Sequence, residues 1–177
     1  MLKGEHVGLR AIERADLPKL LEWRNRPELR RHFREYRELG IDQQTEWYET
    51  KVLKDPCVRM FSVVDARTGD LLGACGLCYI DWPNRNADLS VYIGAADLYI
   101  DDRLAPDAVK VLLRYGFEEL NLHRVWSEIY ELDGPKKRMF ESLGFHLDGR
   151  HLETHWSEGR WWDSLFFAKI ADRTAAS

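Results

Sequence analysis

The chain has 177 residues, 45% hydrophobic and 32% charged, with a formal net charge of −4. This is the composition of one globular domain, long enough to bury roughly 70% of its unfolded surface, and its slight acidity argues against general binding to nucleic acid or to an anionic membrane. No apolar run approaches the ~20 residues of a membrane span, Met1–Glu5 has no apolar signal core, and three cysteines, an odd number, point to free thiols in a reducing compartment, so a cytoplasmic location is expected.

Val7 to Ile12 alternates as a half-buried strand does. Asp16 is placed to cap a helix with Pro18 in its first turn, and Asn25-Arg26-Pro27 breaks it. A short basic helix through Leu29–Phe33 follows, then a helix from Gln43 to Leu53 with Asp42 as its cap. Arg59–Asp65 and Leu71–Ile80 read as a hairpin around the Thr68-Gly69-Asp70 turn. The strand Ala87–Ile93 ends at Gly94, and a helix from Pro106 to Leu120 carries Val109, Leu112, Leu113, Gly116 and Phe117 on one stripe. A strand feeding a helix N-terminus is a common phosphate seat, because several backbone N–H groups there lack partners. Here, however, the join from Ala95 to Ala105 has no glycine and three aspartates. Val125–Tyr130 is the next strand. Asp133 caps a helix through Leu143, Gly144 ends it, and the segments Phe145–Arg150, Leu152–Trp156 and Trp161–Ile170 close the chain. The expectation is a single α/β (α+β) domain over residues 1–171, with a mixed, mostly antiparallel sheet of about seven strands, and a tail at 172–177.

Two side motifs carry little. Cys75 and Cys78 lie three apart on a strand and face opposite sides, which disfavours a shared metal or a disulfide. His151, Glu153 and His155 would share one strand face without an evident fourth ligand, so no metal is expected.

The ordered series of short motifs resembles the GNAT superfamily of acyl-CoA-dependent N-acetyltransferases, in particular the ribosomal-protein N-terminal acetyltransferase-like subgroup. It is carried by Leu9-Arg10, Trp23-Arg24-Asn25, Asn84-Arg85-Asn86-Ala87-Asp88, Tyr92-Ile93-Gly94, Leu112 to Phe117, Asn121 to Val125, Leu143-Gly144-Phe145 and Gly159 to Asp163. The resemblance implies a sheet splayed between the central strand and Val125–Tyr130, with acetyl-CoA as cosubstrate. Its pantetheine arm would pair along Val91, Tyr92 and Ile93, and its pyrophosphate would meet Arg103, Leu104, Ala105 and Asp107. Asp133, Lys136 and Phe140 stand at further cofactor positions, where the family often has Asn, Ser and Tyr. Asp88 is the implied base and Tyr92 a second catalytic candidate, with Glu128 and Tyr130 weaker ones. The acceptor would be a primary amine of a small molecule or a protein N-terminus, attacking the thioester directly. Trp23, Trp47, Trp82, Tyr92 and Asp88 would suit a cationic one, and a homodimer is compatible with this picture. The phosphate loop departs from the family pattern. Ile100, Arg103 and Ala105 fall where Arg or Gln, Gly, and Gly or Ala are usual, so only Ala105 fits. The alternative is a catalytically inactive GNAT-fold binding or scaffold protein with weakened or lost CoA binding.

Overall fold

The computed structural model describes residues 1–172, so the expected tail beyond Asp172 lies outside the described residues. The strands are β1 (Leu2–Lys3), β2 (Val7–Ala11), β3 (Arg59–Asp65), β4 (Leu71–Asp81), β5 (Asn86–Ile93), β6 (Arg124–Tyr130), β7 (His146–Ser157) and β8 (Arg160–Ile170). The helices are α1 (Leu17–Asn25), α2 (Pro27–Arg30), α3 (Ile41–Trp47), α4 (Leu104–Arg114) and α5 (Gly134–Ser142). The strands form one sheet in the order β1-β2-β3-β4-β5-β6-β8-β7. All neighbours are antiparallel except β5 and β6. No helix among the described residues is long and apolar enough to cross a membrane.

Strand alternation divides β5 between two cores. Ala87, Leu89, Val91 and Ile93 face α4, whose Leu104, Ala105, Ala108, Val109, Val111 and Leu112 form the buried stripe. Tyr92 faces the other way and packs with Trp23 and Leu20 of α1 and with Tyr48. Gly94 is required there, since a Cβ would lie 2.1 Å from the Trp23 ring. Cys75 belongs to the α4 core, while the Cys78 Sγ lies 3.7 Å from Met60 Sδ outside it; both thiols are free.

The parallel pair is short. It covers Asn86↔Arg124, Ala87↔Val125 and Asp88↔Trp126 and then stops, although β5 runs on to Ile93 and β6 to Tyr130. Ser127 Oγ donates to Leu89 O at 2.9 Å just beyond the last pair. The two strands therefore diverge, and the split leaves β5 backbone without a strand partner on that side.

Some local expectations are corrected. Asp16 does not cap α1; its carboxylate accepts from Glu13 N, from the Arg10 guanidinium and from Ser62 Oγ, tying β2 to β3. The α3 cap is Gly40 rather than Asp42, with Gln43 Oε1 accepting from Gly40 N. His151 and His155 stay on one face, against the Phe166 and Tyr130 rings, but the β7 register breaks between them and Glu153, at φ 52°, sits in that irregular stretch.

Candidate active site

Asp88 sits at the apex of the split, 4% exposed. Burial pushes its carboxyl up to about 6, against the opposing pull of the Arg34 guanidinium. Arg34 Nη1 donates to Asp88 Oδ2 at 2.7 Å, and Arg34 Nε donates to Glu128 Oε2 at 3.0 Å. One cation is thus clasped by two carboxylates, one from each diverging strand. Glu128 is fixed in turn by Ser164 Oγ, which donates to Oε1 at 2.6 Å. Arg34 lies in the irregular segment between α2 and α3, 54 residues from Asp88 in sequence, so no local spacing could announce the pair.

A second cluster fills the open end of the split. Asp133 Oδ1 accepts from Lys136 N at 3.1 Å, the cap of α5, and Asp133 Oδ2 accepts from Tyr99 OH at 2.6 Å. The Tyr99 ring is stacked on His32 with centroids 4.3 Å apart, and the Lys136 ammonium lies 5.2 Å from the Tyr99 centroid. Burial lowers the Lys136 ammonium, while Asp133 and Asp88 pull it the other way. Burial also takes His32 down to about 4, so the ring is neutral at working pH.

The third element is the N-terminus of α4. Asp101 Oδ2 accepts from Leu104 N at 2.8 Å and Arg103 N at 3.2 Å, and Asp101 Oδ1 accepts from Ala105 N at 2.9 Å. A cavity of about 450 Å³ opens beside it between α4 and α5, lined in part by Ile100, Asp101, Lys110, Arg138 and Ser142.

The sequence-derived candidates fall out unevenly. Asp88, Asp133 and Lys136 converge on the split. Val91 lies on the unpaired stretch of β5, whereas the Ile93 N–H already donates to Tyr99 O at 2.9 Å. Leu104 and Ala105 present backbone N–H groups, both taken by Asp101, and the Arg103 side chain is exposed. Tyr92 is buried against Phe33 and its hydroxyl is pushed up to about 12 by burial, which suits packing better than proton abstraction.

Two cofactor candidates are corrected. Asp107 turns away from the helix terminus: its carboxylate accepts from Glu5, His6 and Val7 N–H groups at 3.3, 2.7 and 3.0 Å and pins the bend before β2. Phe140 is 0% exposed, packed between Phe145 and Phe167. Nor do the tryptophans line the Asp88 pocket as a group, for Trp23 is core and the Trp82 indole donates to Pro56 O. Among the described residues no group of three or more His, Cys, Asp or Glu could hold a metal ion.

Comparison with known proteins agrees with this architecture. Residues 6–146 match the family described as acetyltransferase (GNAT) domain. The chain is 29% identical over 161 residues to a spermidine N(1)-acetyltransferase of Vibrio cholerae, covering 90% of each. It is 24% identical over 171 residues to an uncharacterized N-acetyltransferase, p20, of Bacillus licheniformis, covering 96% of this chain and 95% of that one. A solved structure of spermidine N-acetyltransferase from Vibrio cholerae, in complex with CoA and spermine, superposes with a TM-score of 0.84 at 26% identity, covering 93% of this chain and 95% of that one.

Proposed function

The chain belongs to the GNAT acetyltransferase family and transfers an acetyl group from acetyl-CoA to an amine, and we propose that its acceptor is a small polycationic amine of the spermidine kind. The observation that carries this reading is the cation seat. Asp88 and Glu128 hold a guanidinium at 2.7 and 3.0 Å, and a protonated amine is the ligand with the same charge and donors. The spermidine acetyltransferases among the relatives support the same choice. A protein N-terminus, the acceptor implied by the ribosomal-protein subgroup, carries a single charge and makes less use of two carboxylates.

The scaffold suits acetyl-CoA: the β5–β6 split offers backbone for an extended arm, and the cavity beside α4 carries Lys110 and Arg138 for anionic groups. When bound, acetyl-CoA supplies the activated thioester. Asp88 takes the proton from the attacking nitrogen, and its carboxyl at about 6 is ionised yet basic near neutral pH. Lys136, buried beside Asp133 with its ammonium acidified by burial, is the proton donor on the opposite side of the split. Phe140, at the usual donor position, has no proton to give. Free cysteines support a reducing, cytoplasmic setting. A neighbouring Vibrio cholerae enzyme described as dodecameric supports an assembly larger than the dimer.

The test is steady-state kinetics on spermidine and on a peptide with a free N-terminus. Spermidine should win in kcat/KM by roughly tenfold or more, equivalent to about 1.4 kcal/mol. Glu128→Gln should raise KM for spermidine without changing KM for acetyl-CoA. A preference for the peptide would overturn the acceptor assignment.

A further inference from the structure

One loop, Gly94 to Arg103, touches both the open end of the split and the N-terminus of α4. Its course is reversed by Ala96 and Asp97, which have φ 53° and 57°. It is fastened at the near end by Arg26, which donates to Gly94 O at 3.0 Å and pairs with Asp97 at 2.9 Å. Tyr99 O takes the Ile93 N–H at 2.9 Å, so part of the free β5 edge is covered. The Tyr99 ring fills the space between His32 and Lys136, and its hydroxyl reaches Asp133 at 2.6 Å.

At the far end, Asp101 consumes the α4 donors. Arg103, Leu104 and Ala105 N–H all point to its carboxylate. Pro106 has no N–H, and Asp107 N donates to Arg103 O at 3.3 Å as the first bond of the helix. From Arg103 to Asp107 no backbone donor remains for another anion. A carboxylate and a phosphate want the same thing here: N–H groups at the positive end of a helix dipole. Only one of them can have it.

We infer that the loop Gly94–Arg103 is a self-inhibitory strap, with Asp101 standing in for the pyrophosphate of acetyl-CoA on the α4 amides and Tyr99 filling the split. The enzyme rests closed. Acetyl-CoA binds by displacing the strap, and its apparent affinity is reduced by the fraction of molecules in which the strap is docked. Lys110 and Arg138, lining the adjacent cavity, are the cations available to the phosphates once Asp101 leaves. Arg103, exposed at the strap's end, moves with it.

The inference rests on the acetyl-CoA reading of the site, and calorimetric titration with CoA separates the two. Asp101→Ala removes the competitor. Its CoA dissociation constant should fall roughly 2- to 30-fold, the range spanned by the measured value of a helix N-cap. Its melting temperature without ligand should fall at the same time, because α4 loses its cap. Asp101→Asn, which keeps the shape and one acceptor, should move both quantities in the same direction by less, and serves if the alanine variant does not fold. A lowered melting temperature with unchanged or weaker CoA binding would make Asp101 a cap and nothing more, and would overturn the strap. If neither the wild type nor the variants bind CoA at millimolar concentration, the strap and the acetyl-CoA reading fail together.

Discussion

Replacing Asp88 by Asn should stabilise the protein at neutral pH while removing its activity. Burial raises this carboxyl from 3.8 to about 6 in the folded chain. The native state therefore holds the proton more tightly than the unfolded state does. Below pH 3.8 the group is protonated in both states and imposes no penalty. Through the window from about 4 to 6 the unfolded state releases its proton first, and above 6 the full cost of burying the charge is present. A shift of about two units corresponds to about 3 kcal/mol. Asn keeps the shape and sheds that cost. It also weakens the contact to Arg34 Nη1 at 2.7 Å, but Arg34 is 41% exposed and retains Glu128. That loss is worth less than about 1 kcal/mol. The net gain should be about 2–3 kcal/mol at pH 8 and should fade towards zero near pH 4. Urea unfolding of both proteins at the two pH values reads it directly. Turnover should fall by about 10²- to 10⁴-fold, the usual contribution of a general base. A variant less stable than wild type at pH 8, or a gain that does not vary with pH, would refute the assignment of a strained, functional carboxylate.

Other perturbations separate the roles of neighbouring residues. Lys136→Met removes a cation that favours ionised Asp88, so the acidic limb of the kcat/KM profile should move to higher pH; a limb that stays put would show that the two groups do not sense each other. Phe140→Ala should cost about 3–5 kcal/mol in urea unfolding, as expected for an aromatic ring removed from the core, with KM for acetyl-CoA unchanged in the folded protein, whereas a raised KM would return Phe140 to the binding site. Asp107→Ala strands the Glu5, His6 and Val7 N–H groups and should cost about 2–3 kcal/mol without altering CoA affinity.

The parts of this molecule governed by periodicity were legible in the sequence. The α4 stripe and the β5 alternation fixed which side chains face which core, and Asp133 acts as the α5 cap that its position before Gly134-Pro135 suggests. Asp88 was marked as a candidate by the motif around it, and its burial beside Arg34 is what the structure adds. Arg34 was not a candidate, since nothing near it in sequence marks a partner 54 residues away on β5. Asp101 is the more instructive case. Read as bare charge, three aspartates before a helix repel a phosphate. Read as a helix-start residue, an Asp ahead of Leu104 is a cap for the amides that follow, and that is what the structure contains. Asp107 shows the reverse error: an acid in the first turn suits the dipole, yet its carboxylate is committed to the backbone of residues 5–7.

The most direct measurement is mass spectrometry of spermidine incubated with the enzyme and acetyl-CoA, run beside a free-thiol assay. Monoacetylated spermidine should accumulate with one thiol released per acetyl group transferred, and Asp88→Asn should abolish both signals. Unmodified spermidine with no thiol release from the wild type, under conditions where the protein is folded and binds CoA, would contradict a polyamine acetyltransferase built around Asp88.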